Sequence, residues 1–76
     1  MKAKDFDKFA QHFSEAIKKR RLARGLSHEK LALMSGVTRS TISNIEANRK
    51  SPTLATCYKV AKSLGIALSD LIRECE

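Results

Sequence analysis

Four side chains in one short stretch have the chemistry to read the hydrogen-bonding edges of another molecule. Arg39, Ser40, Ser43 and Asn44 alternate with the apolar Val37, Ile42 and Ile45. On a helix that spacing turns the apolar residues to one side and the polar ones to the other. An arginine offers a donor pair that matches guanine O6 and N7, and an asparagine amide matches adenine N6 and N7. The plainer reading makes Thr38, Ser40, Thr41 and Ser43 caps and solvated hydroxyls, and for Thr38 capping is the main role. Other chemistry is not signalled. His12, His28, Cys57 and Cys75 lack zinc-ligand spacing, so no metal is expected. With no nucleophile–base set and no glycine-rich phosphate loop, neither an enzyme nor a cofactor is expected.

The charge agrees with a polyanion partner. Of the formal +7, residues 16–62 hold eleven Lys or Arg against Glu29 and Glu46, a local +9. Residues 63–76 hold Arg73 against Asp70, Glu74 and Glu76, a local −2. A basic middle with neutral or acidic ends suits one face for nucleic acid and another for a different contact. Tyr58 is the lone Tyr and Trp is absent, which leaves no stacking platform for RNA.

The elements that must position these residues are helices. The chain has 76 residues, 42 % hydrophobic and 30 % charged, and reads as one domain over 1–76. Within it, 1–15 form an N-terminal extension and the start of the first helix, and 16–72 form the rest. Its longest apolar run, Leu31-Ala32-Leu33-Met34, is too short for a membrane span, and no signal sequence is visible. A cytoplasmic location is expected, with no membrane partner. The fold class is all-α with five helices. The first runs from about Asp7 to Arg24, its stripe being Phe6, Phe9, Phe13 and Ile17. Ser27 caps a helix ending at Gly36, Thr38 caps one running through Ala47, and Thr53 caps one over 54–64. A short last helix carries Leu68, Leu71 and Ile72.

Only Gly36 and Val37 separate the second helix from the cap of the third, so the two must cross steeply. Ala32 gives the close approach, Gly36 the corner, and Leu31, Val37, Ile42 and Ile45 the apolar lock. With these residues in place, Arg20 through Leu71 resembles the phage-repressor (Cro/CI-type, XRE) helix-turn-helix family over about two-thirds of the chain. The stretch "RGLSHEKLALMSGVTRSTISNIEANRKSPTLATCYKVAKSLGIALSDLI" follows the family pattern almost throughout.

The resemblance implies that the helix after Thr38 lies in the major groove of double-stranded DNA, with Arg39, Ser40, Ser43 and Asn44 reading bases. It also implies backbone-phosphate contacts from Ser27 and His28, from Thr38 and Thr41, from Asn48, Arg49 and Lys50, and from Thr53. Arg21 and Glu46 resemble the family's internal ion pair. Three positions depart from the family: His28 where glutamine is usual, Asn48 where glycine is usual, and Ala67 where a capping serine is common. The last leaves the final helix less firmly started.

One helix-turn-helix reads too few base pairs for discrimination across a genome, so a homodimer on a pseudo-palindrome is expected. Leu68, Leu71 and Ile72 are the favoured interface, assisted by Phe6 and Phe9. Phage-type repressors and restriction–modification controllers are small members of the family, and no small-molecule effector is expected. The alternative is a protein-interaction module, such as an antitoxin or coactivator, using the fold without base readout. Cys57 is expected to face inward beside Leu54, Ala61 and Leu64, Cys75 to be an exposed thiol, and Arg24 to be solvated.

Overall fold

A computed structural model describes residues 2–76, and its order is α1 (Ala3–Ala23), α2 (His28–Ser35), α3 (Arg39–Glu46), α4 (Leu54–Ser63) and α5 (Leu68–Cys75). Three of the five starts are capped as the sequence predicts. Ser27 Oγ accepts from the Lys30 amide, Thr38 Oγ1 from that of Thr41, and Thr53 Oγ1 from that of Thr56. Each bond satisfies a backbone donor that the helix itself leaves free. Ala67 has no side chain to do this, and α5 begins without a side-chain cap. The first helix starts at Ala3 rather than Asp7. No residue between them breaks a helix, and Asp5 puts negative charge in the first turn.

Ile17, Leu31, Ile42, Val60 and Leu71 are fully buried, one from each helix. Around them close Phe13, Ala32, Ile45, Ala61, Leu64 and Cys75. Helix α2 packs on α3 and α4, α1 on α3 and α5, and α4 on α5. Among the described residues no strand occurs, and no helix is long and apolar enough to cross a membrane.

Three expectations about the last two helices are corrected. Leu71 is fully buried, so it belongs to the core and drops out of the candidate dimer surface. Cys75 is 3 % exposed instead of free, because it lies one helical turn after Leu71 on the same face. Burial pushes its thiol pKa up, away from reactivity. Leu54, at the first turn of α4, points away from the core and is 76 % exposed, while Cys57 is half-buried. Arg24 is exposed yet tethered: its Nη1 donates to the Ser63 carbonyl at the end of α4 over 3.0 Å. Arg20 ties α1 to α5 through Glu74 at 2.7 Å.

Candidate nucleic-acid interface

The corner between α2 and α3 is made by Gly36, whose φ of 74° lies where a side chain would be strained. The amides of Gly36 and Val37 both donate to the Ala32 carbonyl, at 2.9 and 3.2 Å. Thr38 then starts α3, its hydroxyl 2.8 Å from that of Thr41. Ile42 and Ile45 are buried beneath the helix, while Arg39 and Ser40 are exposed and Ser43 and Asn44 half-exposed. The predicted division of the helix into an apolar and a polar face therefore holds residue by residue.

Behind that face sits a buried ionic brace. Arg21 reaches from α1 to donate Nε and Nη2 to the two oxygens of Glu46, at 2.6 and 3.0 Å. Its Nη1 donates to the Leu26 carbonyl at 2.7 Å. His28, at the first position of α2, brings Nε2 within 3.0 Å of the same Glu46 carboxylate. The brace joins α1, α2 and α3 at one carboxylate whose side chain is only 6 % exposed. Burial alone would push the Glu46 pKa up. Hydrogen bonds from Arg21 and His28, with their charge, outweigh burial and hold it below its ordinary value. The sequence pairs Arg21 with Glu46 and leaves His28 either a phosphate contact or a bracing role; the structure makes it the third member of the brace. The ring nitrogen used here is committed to positioning α3.

At the far end of α3, Asn48 takes φ 55°, the left-handed conformation that asparagine tolerates better than most residues. The chain folds back, and the Arg49 amide donates to the Asn44 carbonyl at 3.0 Å. The Arg49 side chain follows: Nε donates to Asn44 Oδ1 and Nη2 to Ser43 Oγ, each at 3.0 Å. The sequence placed Arg49 with the phosphate ligands; the structure brings it onto two of the base-reading candidates. Its signal was available in Asn48, because a left-handed residue there returns the next one over the last turn. Lys50 is exposed, and Arg39 makes only a loose 3.8 Å approach to Glu29.

The candidate dimer residues separate into two groups. Phe6, Phe9 and Ile72 line an apolar cleft with Phe13, Pro52 and Leu54, of about 130 Å³. Leu68 lies apart, in a shallow hollow with Tyr58 and Lys62.

This arrangement is that of a helix-turn-helix protein, and the chain belongs to that family, whose model matches residues 17–71. It is similar to the HTH-type transcriptional regulator SutR of Escherichia coli, 36 % identical over 87 % of this chain and 37 % of SutR. The regulator PuuR of the same species is 41 % identical over 74 % of this chain and 30 % of PuuR. The chain thus spans about a third of the length of these curated relatives. Among solved structures, the restriction-modification controller protein C.AhdI from Aeromonas hydrophila superposes with a TM-score of 0.77 at 32 % identity. That match covers 82 % of this chain and 94 % of the controller.

Proposed function

We propose that this chain is a sequence-specific regulator of transcription that binds double-stranded DNA as a homodimer, with α3 in the major groove. The observation that carries the reading is the polar face of α3, held over buried Ile42 and Ile45 and braced from behind by Glu46. Arg39, Ser40, Ser43 and Asn44 read bases. Ser27, His28, Thr38, Thr41, Asn48, Lys50 and Thr53 hold phosphates, with the charge of Arg49 adding to them. The regulatory names of the relatives, and similarity to a restriction-modification controller over 82 % of this chain and 94 % of that one, support the reading. A second copy brings the second half-site, and Phe6, Phe9, Leu68 and Ile72 are the exposed or half-exposed residues offered for the contact.

Selection from a random duplex library at about 0.15 M salt tests the reading, because nonspecific binding is weak there. An enriched pseudo-palindrome with half-sites about 34 Å apart is expected. A folded protein that enriches nothing would instead be a protein-interaction module. Two substitutions separate the contact types. Arg39→Ala is expected to cost about 1–3 kcal/mol of binding and to relax one base position per half-site, read by repeating the selection. Lys50→Ala is expected to weaken all sequences alike and to lower the slope of log affinity against log salt by about one unit.

A further inference from the structure

Arg49 does something that a phosphate ligand has no need to do. Its guanidinium is laid across the end of α3, with Nε on Asn44 and Nη2 on Ser43, while its own amide is bonded to the Asn44 carbonyl. Three bonds therefore fix this one residue against the two before the helix end. Lys50, the adjacent cation, makes no such contact and is the better phosphate ligand.

We propose that Arg49 is a positioning residue for base choice: it turns Asn44 and Ser43 into donors, so that the base pair they face is read as guanine rather than adenine. The proposal rests on α3 being the recognition helix. A guanidinium has five N–H donors and no acceptor, so the Asn44 atom it touches must be the amide oxygen. That contact sets which way round the amide lies and leaves the NH2 edge uncommitted. Ser43 Oγ likewise accepts from Arg49, which leaves its hydroxyl hydrogen to donate elsewhere. With the remaining guanidinium N–H groups, the patch presents donors.

In the major groove guanine shows two acceptors, N7 and O6, whereas adenine shows the N7 acceptor beside the N6 donor. An amide oxygen has two lone pairs, so what Arg49 restricts is its direction: reading adenine with both arms of an asparagine needs that oxygen turned to N6–H and the NH2 to N7. Arg49 holds that oxygen. Without Arg49, Asn44 would regain the adenine-matching orientation.

The test is a random-duplex selection, with salt dependence of affinity, on the wild-type chain, Arg49→Lys, Arg49→Ala, Asn44→Ala, and Arg49→Lys combined with Asn44→Ala. Wild type should enrich guanine over adenine at one position of each half-site. Arg49→Lys keeps the charge and loses the flat two-donor contact, so that ratio should fall at least about fivefold with the salt slope unchanged. Arg49→Ala should lose the same ratio and also lower the slope by about one unit. Set against Asn44→Ala alone, the double variant should show a further fall in that ratio well below the roughly fivefold one seen with Asn44 present, because Asn44 carries the larger part of the effect and Ser43 the rest. Identical base preferences in wild type and Arg49→Lys would overturn the proposal and leave the regulator reading intact. So would a uniform loss on every sequence, which marks a role in shape alone. If the wild type enriches no sequence, the regulator reading falls and this one with it.

Discussion

Glu46→Ala is expected to destabilise the fold by about 3–5 kcal/mol, the cost of removing one partner from a buried ion pair. A 76-residue domain holds only about 4–11 kcal/mol in all, so the loss is at least about a quarter of the total. The reason lies in what is left behind. Arg21 is 9 % exposed at its side chain and would keep only the Leu26 carbonyl as a partner for a full positive charge. His28, half-exposed, would recover water more easily. Urea denaturation of Glu46→Ala beside the double variant Arg21→Met with Glu46→Leu decides the cause. Removing both charges for apolar groups of similar size should recover most of the loss. A double variant as unstable as Glu46→Ala would mean that packing, and not a stranded charge, sets the cost.

The same carboxylate makes stability depend on acid. Its folded pKa lies below the ordinary value of 4.5 because Arg21 and His28 favour the ionised form over the opposing effect of burial. A depressed carboxyl contributes stability that is fully present above the unfolded value and lost as pH falls through the folded one. Denaturation midpoints of the wild type should therefore fall more steeply below pH 4.5 than those of Glu46→Gln, whose side chain carries no charge to lose. Parallel curves for the two proteins would remove Glu46 from the acid response.

Much of the fold is legible because local signals and the apolar pattern agree. Ser27, Thr38 and Thr53 each stand where a hydroxyl satisfies a free amide, and Gly36 and Asn48 stand where the backbone turns left-handed. Local rules of that kind need no knowledge of the rest of the chain. The errors fall where a residue's surroundings come from distant sequence. Leu71 and Cys75 complete an inward stripe from Leu68, but whether a terminal helix buries both depends on α1, more than fifty residues earlier, closing over it. In the sequence His28 stands out as a departure from a family glutamine, yet its role is set by Glu46, 18 positions away, arriving beneath it. In the sequence Arg49 shows only its charge. Its hydrogen-bonding direction appears only once Asn48 has folded the chain back over Ser43 and Asn44.

Ile42→Ala is the second large effect, expected to cost about 2–5 kcal/mol of stability. Ile42 is fully exposed to the core and not at all to water, on the underside of the helix that carries all four base-reading candidates. Truncation leaves a cavity between α3 and the core that rigid neighbours such as Leu31 only partly fill. The consequence for binding should exceed the fraction unfolded. An eight-residue helix is far below the length that holds together alone in water, so α3 is helical because Ile42 and Ile45 are packed beneath it. Loosening that packing frees Ser43 and Asn44 before the whole domain melts, and the base pairing proposed for them would tolerate little displacement. Ile42→Val removes one methylene and keeps the branch, and should cost about 0.5–1.5 kcal/mol with base preference retained. Denaturation and DNA titration of both variants, at a temperature where each is still mostly folded, separate the two effects. Affinity that falls only in proportion to the folded fraction would mean that α3 keeps its position without Ile42, and that the Glu46 brace alone is enough to hold it.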